Sequence, residues 1–234
     1  MRIRVLCWNI RHGGGSRIER IHGAIRTQRA DVIVLTEFRD NPAGAWLRDA
    51  LAEDGWPYQA SSAPPPRANG VLIAARRRFR RCAEHDDVPP DRHRWVTASF
   101  SRFGITGTYF PSLHEKVPHW EYMCRTARRL AEARHLIVGD TNTGKNYIDE
   151  AGTVFRYGGY LDAMAAEGWP EAWRLLHPRG RQYSWYSHKG NGFRIDHAYV
   201  SPRLIAGLRA ARYSHRDRKA GTSDHSALIV ELDV

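Results

Sequence analysis

The stretch Asp31-Val32-Ile33-Val34-Leu35 is a short apolar run rich in β-branched residues, and Thr36-Glu37 follows it at once. Such a run is the pattern of a strand covered on both faces. Working outward, Ile3 to Trp8 alternates with basic residues before turning apolar. Further strand signals lie at Gly70 to Ala74, Trp95 to Phe100, Gly104 to Phe110 and His135 to Val138, then at Tyr183 to Ser187, Ile195 to Val200 and Ala227 to Leu232. Arg17 to Gln28 sets Ile18, Ile21 and Ile25 three and four apart, one apolar helical stripe. Ala43 to Ala52 and Val117 to Ala133 read as helices too, the latter with Pro118 in its first turn. Strands mixed with helices, and several adjacent hairpin-like strands, predict an α/β (α+β) chain. Its two packed sheets would carry helices outside.

The bulk properties agree. The chain has 234 residues, 42% hydrophobic and 26% charged, the composition of a globular domain rather than a disordered segment. Residues 1–234 read as one domain, without internal repeat or linker; Ser61-Ser62-Ala63-Pro64-Pro65-Pro66 is a surface loop. No apolar run approaches the roughly 20 residues of a membrane helix, and the N-terminal apolar segment is too short for a signal peptide. Cys7, Cys82 and Cys124 are scattered, without zinc-type spacing, which makes a reducing cytoplasm the expected home. Nothing calls for an obligate protein partner, and a monomer is the default expectation.

Charge points to the partner. Lysine and arginine number 36 against 25 acids, a net charge of +11, and only Lys116, Lys145, Lys189 and Lys219 are lysines. A guanidinium grips phosphate with two parallel hydrogen bonds, and excess positive charge steers polyanions, so nucleic acid is the natural ligand. A genome rich in arginine codons accounts for the Arg:Lys ratio but less well for the net charge.

Polar residues with chemical capacity gather just past strand ends, where a rigid scaffold positions groups that stay open to solvent. Asn9 ends the first strand and Glu37 follows the second. Tyr109, Pro111 and Ser112 end the strand from Gly104, and Asp140 and Asn142 follow Val138-Gly139. Asp196 lies in Arg194-Ile195-Asp196-His197, and Asp224-His225 precedes the last strand. A hard divalent ion wants carboxylate oxygens, which Glu37 and Asp224 supply. An attacking water needs a base and an orienting group, which Asp140 and Asn142 supply. A histidine held by a carboxylate can donate to a phosphoryl oxygen, and His225 with Asp196 forms such a pair. Taken singly, each has a plainer reading as a turn former, a strand terminator or a satisfied histidine; all of them in one chain, each at a strand terminus, weaken those readings together.

These segments resemble the endonuclease/exonuclease/phosphatase family, in particular its exonuclease III and apurinic endonuclease branch. The matching stretches are Cys-Trp-Asn-Ile (7–10), Val-Leu-Thr-Glu (34–37), Thr-Tyr-Phe-Pro-Ser (108–112), Val-Gly-Asp-Thr-Asn (138–142), Arg-Ile-Asp-His (194–197) and Ser-Asp-His (223–225), in order along nearly the whole chain. The resemblance implies a four-layer αββα sandwich with its site at one edge, and Mg²⁺ or Mn²⁺ as cofactor. It implies Glu37 as principal metal ligand with Asp224 beside the same ion, and Asn9 as a site organiser. Asp140 would be the base for water or the acid at the leaving oxygen, Asn142 its orienting partner, Asp196 the holder of His225, and Tyr109 a neighbour of the leaving group. Many nucleases of the family carry an acid where this chain has Arg11, which could thin the metal shell or act as a phosphate clamp. Apurinic endonucleases have Asn where Ser112 stands; tyrosyl-DNA phosphodiesterases have Ser there, but His in place of Tyr109.

Substrate contacts are expected from the run Arg76-Arg77-Arg78-Phe79-Arg80-Arg81, with Arg77 and Arg78 at its centre, and from Arg11 before three glycines. Trp185 and Phe193 are candidates to wall a pocket for an extruded sugar, with core packing the competing reading. The expected activity is metal-dependent hydrolysis of DNA phosphodiester bonds, as an abasic-site endonuclease, a 3′ exonuclease or a general nuclease. Tyrosyl-DNA phosphodiesterase or phosphomonoesterase activity is one alternative, and a weakly catalytic DNA-binding protein on the same scaffold another.

Overall fold

The computed structural model describes all of residues 1–234. One six-stranded sheet contains β1 (Arg2–Asn9), β2 (Val32–Phe38), β3 (Tyr58–Ser61), β4 (Gly70–Ala75), β12 (Leu208–Ser214) and β13 (Ala227–Asp233), in the order β12-β13-β1-β2-β4-β3. A five-stranded sheet runs β11-β8-β7-β6-β5, formed by β5 (Arg80–Cys82), β6 (Trp95–Ser99), β7 (Gly104–Tyr109), β8 (His135–Asp140) and β11 (Asp196–Val200). Each sheet holds one parallel pair, β1 with β2 and β7 with β8; the other pairings are antiparallel. The parallel pairs are joined by crossover helices, α1 (Ile18–Gln28) and α3 (Val117–Arg129). A parallel pair brings two strand C-termini side by side, so Asn9 and Glu37 reach one rim, as do Tyr109 and Asp140.

Strand periodicity explains the layers. Val5, Cys7, Val32, Val34, Val71 and Ile73 face Val96, Ala98, Ile105, Leu136 and Val138 in the core between the sheets. Leu6, Trp8, Ile33, Leu35 and Leu72 point the other way, under α1 and α2 (Pro42–Glu53). Thus Ile33 and Val34 are both fully buried on opposite faces, as the unbroken apolar run requires. Trp120, Met123 and Ala127 of α3 cover the second sheet with Leu161 and Met164 of α4 (Gly159–Ala166). The sheets approach closely at Gly107, where a Cβ would lie 2.7 Å from Val34 Cγ1 and 2.9 Å from Val71 Cγ1.

Several boundaries differ from expectation. The third helix ends at Arg129 rather than Ala133, because the chain must turn to feed β8 at His135. Of Tyr183 to Ser187 only β9 (Trp185–Tyr186) pairs, in a hairpin with β10 (Gly192–Phe193). Strand β12 carries no clear period-two pattern, since a bulge between Leu208 and Ala210 shifts its register and its buried residues fall at Leu208, Ala211 and Tyr213. Short α5 (Ala172–Leu176) packs against β11 and β12, and α6 (Arg216–Lys219) leads to the last strand.

Candidate active site

The rim residues of the two sheets are stitched together by one buried side chain. Asn9 Nδ2 donates to Glu37 Oε1 at 3.0 Å and to Asp140 Oδ2 at 2.9 Å, joining a carboxylate from each sheet. Its own Oδ1 accepts the Arg11 backbone N–H, which fixes the amide orientation. Glu37 sits at a bulge where the β2–β4 register shifts between Thr36 and Phe38, with φ of 55°. That left-handed conformation is costly for a residue with a side chain and needs its neighbours to hold it. They do: the His12 backbone N–H and Asn69 Nδ2 donate to Glu37 Oε2 at 2.8 and 3.0 Å, and Tyr109 OH reaches Oε1 at 3.4 Å. The bulge re-aims the carboxylate from the strand face into the crevice.

Asp140 is fully buried at the end of β8. The Asn142 backbone N–H donates to its Oδ1 at 2.9 Å, and Asn142 adopts φ of 49° to make that turn. The Asn142 side-chain amide donates to Phe110 O, and Lys116 Nζ donates to Asn142 O. Burial holds the Lys116 ammonium down to about 8, against the pull of the Asp140 charge.

Asp140, Asp196 and His225 bring one polar atom each within 4.8 Å of one another. His225 Nδ1 donates to Asp196 Oδ2 at 2.9 Å, and its Nε2 lies 3.9 Å from Asp140 Oδ2. Burial raises the Asp140 pKa, the Asp196 charge raises it further, and His225 only partly offsets this. Burial would push His225 toward the neutral form, but the charge and hydrogen bond of Asp196 outweigh it and keep the imidazolium. The strand carrying Asp196 is anchored from both sides. Ser184 Oγ accepts the Ile195 and Asp196 N–H groups at 3.1 and 3.3 Å, and Tyr213 OH donates to Asp196 O at 2.6 Å. Beneath it Arg194, fully buried, binds Asp149 with two N–H groups and Glu171 with a third.

Asp224 and the aromatics complete the crevice. Trp185 Nε1 donates to Asp224 Oδ2 at 3.2 Å, and its ring lies 6.4 Å from that of His225. The Trp185 and Phe193 rings are 5.7 Å apart, both half-buried, with Phe155 5.6 Å beyond. Arg11 Nε stands 4.0 Å from Asp224 Oδ2, so the guanidinium occupies the position of the expected acid as a counter-charge to Asp224. Tyr109 carries the Arg94 guanidinium 4.9 Å above its ring, and burial and the Glu37 and Asp140 charges push its hydroxyl pKa up.

The structure thus brings together Asn9, Arg11, Glu37, Tyr109, Asp140, Asn142, Trp185, Phe193, Asp196, Asp224 and His225. Ser112 lies on the exposed loop after β7 and makes no hydrogen bond through its side chain. Arg77 and Arg78 do not belong here: they follow Ala75, which pairs with Val32 at the opposite end of the sheet from Gly70 and Phe38. A six-residue strand separates the two ends by roughly 20 Å. The sequence reading missed Asn69, Lys116 and Arg94. Asn69 had the same signal as Asn9, a polar residue abutting an apolar strand; Lys116 and Arg94 had none beyond their charge.

The donor set fits a hard divalent cation. Glu37 and Asp224 offer carboxylate oxygens, and Asp224 Oδ1 is buried with no hydrogen-bond partner, a kind of atom that a cation satisfies. His225, held as the imidazolium, is a hydrogen-bond donor rather than a ligand.

The sequence profile of the Endonuclease/Exonuclease/phosphatase family matches residues 6–225. Among curated proteins no sequence match was found. Three solved structures superpose over 99% of this chain and 100% of their own. They are the 3′ phosphatase NExo from Neisseria bound to a product DNA hairpin (20% identity, TM-score 0.85), an AP endonuclease from Archaeoglobus fulgidus (18%, 0.85) and the 3′-5′ exonuclease NExo from Neisseria meningitidis (20%, 0.83). With a family profile spanning nearly the whole chain and the same αββα architecture in those structures, the protein belongs to the endonuclease/exonuclease/phosphatase family, enzymes that hydrolyse phosphoester bonds.

Proposed function

We propose that the protein is a divalent-metal-dependent DNA phosphodiesterase of exonuclease III type, cleaving at abasic sites or from 3′ ends. The observation that carries this reading is the continuous rim network Glu37–Asn9–Asp140, next to the Asp140–His225–Asp196 cluster. Asp140 accepts a proton from the attacking water as its oxygen bonds to phosphorus, and its raised pKa makes it the stronger base; the bond from phosphorus to the departing sugar oxygen breaks in line, and that oxygen takes a proton from solvent to leave as a hydroxyl. Asn142 fixes the Asp140 carboxylate through its backbone, while its side-chain oxygen is free to accept from that water. The imidazolium of His225 donates to a phosphoryl oxygen as negative charge builds, and Asp196 keeps that proton in place. Glu37 and Asp224 would hold Mg²⁺ or Mn²⁺, which when bound neutralises phosphate charge in the transition state. The net charge of +11 favours DNA over a small neutral ester.

A second reading, removal of a 3′-terminal phosphate, is favoured by the Trp185–Phe193 pair, which sits within reach of Asp224 and His225 and suits a terminal sugar. A solved neighbour is named a 3′ phosphatase. The test is one panel: an abasic duplex, a 3′-recessed duplex, a 3′-phosphorylated hairpin and a 5′-tyrosyl oligonucleotide, each with Mg²⁺ and with EDTA. Metal-dependent cleavage of the first or second is the expected result. Turnover of the hairpin alone supports the phosphatase reading, and tight, salt-sensitive binding without turnover would replace both with a DNA-binding scaffold.

A further inference from the structure

The arginine run that failed to reach the catalytic crevice forms a surface of its own. Arg77, Arg78, Arg80 and Arg81 are exposed, and so are Arg29 and Arg102. Arg76 joins the loops that carry them: its backbone N–H donates to Asp31 O and its Nε to Ala30 O, beside Arg29. Phe79 packs 5.3 Å from Phe100, and Arg80 pairs with Ser99, beside Arg102. The six arginines therefore all lie at one end of the sandwich, opposite the crevice; Arg29 shares a recess with Asp31 and Glu231 and Arg102 one with Glu84, but none of the six has a carboxylate within 4.0 Å. Arginines around them are paired: Arg2 and Arg209 with Asp233, Arg4 with Glu231, Arg26 with Asp54. Asp31, the carboxylate next to the loop, accepts the Arg4 backbone N–H.

Charges on an edge strand can serve simply to block pairing with another sheet. That accounts for Arg80 and Arg81 on β5, but not for Arg29, Arg77, Arg78 and Arg102, which lie in loops. Six unpaired like charges repel one another, and a polyanion relieves that repulsion. Guanidinium forks suit phosphodiester oxygens. Of the large side chains at this end Phe79 is half-buried and Phe103 buried, and the exposed Tyr58, opposite Ala75, carries a hydroxyl, so no purely apolar ring is offered to a bilayer.

We infer that this end of the molecule is a second nucleic-acid site, which grips the phosphodiester backbone of a DNA segment other than the one at the crevice. The patch and the crevice lie at opposite ends of the strands, so a duplex laid across one end of the sandwich does not also lie across the other. The inference shares with the proposed function the choice of DNA as ligand but not the catalysis.

The experiment is a bridging assay with the full chain. A biotinylated duplex on beads captures a second, fluorescent duplex through the protein, with Asp140→Asn present to prevent cleavage. The comparison is with Arg77→Gln/Arg78→Gln/Arg80→Gln/Arg102→Gln in the same background, its fold checked by thermal melting. The first protein is expected to bridge and the second to lose the bridge. Four lost phosphate contacts correspond to a salt slope smaller by about 3.6, so from 50 to 200 mM salt bridging by the parent should fall about 100-fold more steeply than any residual bridging by the variant. Wild-type arginines restored on an otherwise active chain should leave single-turnover cleavage of one short substrate within about 2-fold of the quadruple variant, because the crevice is untouched. Absence of bridging by the parent, or bridging equal in the variant, overturns the inference. Loss in the variant of binding to vesicles of 30% phosphatidylglycerol, with bridging unaltered, overturns it in favour of a membrane. Bridging that persists while no substrate of the panel is cleaved defeats only the catalytic reading.

Discussion

Replacing Asp196 with Asn should turn a pH-insensitive step into an acid-dependent one. Asn preserves the shape and can still accept from His225 Nδ1, so the 2.9 Å contact is retained and only the charge is lost. In the parent the two influences on His225 oppose each other: burial favours the neutral ring, and the Asp196 charge wins. Without that charge burial is opposed only by the Asp140 and Asp224 carboxylates, so the imidazole titrates lower than in the parent. A ring brought to its ordinary value of about 6.5 carries the proton in roughly one molecule in ten at pH 7.5, which alone removes about tenfold in rate. Loss of the aligned donor at the phosphoryl oxygen brings the total toward 10²–10³. The assay is kcat/KM on an abasic duplex from pH 5.5 to 8.5 at fixed Mg²⁺, for both proteins. The variant's rate relative to the parent's should climb as pH falls, and the parent should show no inflection from His225 near neutrality. A variant within about threefold of the parent, with a parallel pH profile, would refute the role given to the imidazolium.

Glu37→Gln should weaken Mn²⁺ binding by calorimetry and lower cleavage by at least about 10²-fold, since the carboxylate held by Asn9, Asn69 and the His12 N–H loses its charge; equal Mn²⁺ affinity in both proteins would remove it from the metal site. Asp140→Ala should cost about 10²–10⁴ in kcat while duplex affinity measured in EDTA stays within a few-fold, and an unchanged kcat would eliminate it as the base. His135, buried and hydrogen-bonded to Thr106, has its pKa pushed down to about 4 by burial alone. Its folded pKa lies below its unfolded one, so its contribution is complete above pH 6.5 and is lost as pH falls toward 4, at most about 3 kcal/mol. Urea denaturation of the parent should therefore lose stability between pH 6.5 and 4.5 more steeply than His135→Gln, and identical slopes would count against it. Arg194→Met leaves Asp149 and Glu171 buried without their shared cation and should cost about 3–5 kcal/mol; a cost under 1 kcal/mol would show that the carboxylates take up protons or water instead.

The layers were legible where both faces of a strand carry apolar residues. Asp31 to Leu35 announces burial on two sides because Ile33 and Val34 have no polar neighbour between them. Strand β12 was not, because its bulge breaks the alternation on which the reading rests. The rim residues could be read from their position at strand ends, since parallel pairing carries chain order directly into spatial adjacency. The arginine run could not be placed, because charge alone says nothing about which end of a strand a loop occupies. Asn69 reaches the crevice from a loop and Lys116 from the 3-10 turn before α3, segments whose course depends on tertiary contacts, with Asn69 meeting Glu37 across 32 positions of sequence.

The amide of Asn9 spans the seam between the sheets, holding Glu37 from one and Asp140 from the other. Neither sheet owns the catalytic centre, so a chain whose sheets have each formed but not yet docked would have native-like secondary structure and no turnover. During refolding, recovery of cleavage should therefore trail the far-ultraviolet signal and keep time with the burial of Val34 against Gly107, which makes activity a clock for the joining of the two halves.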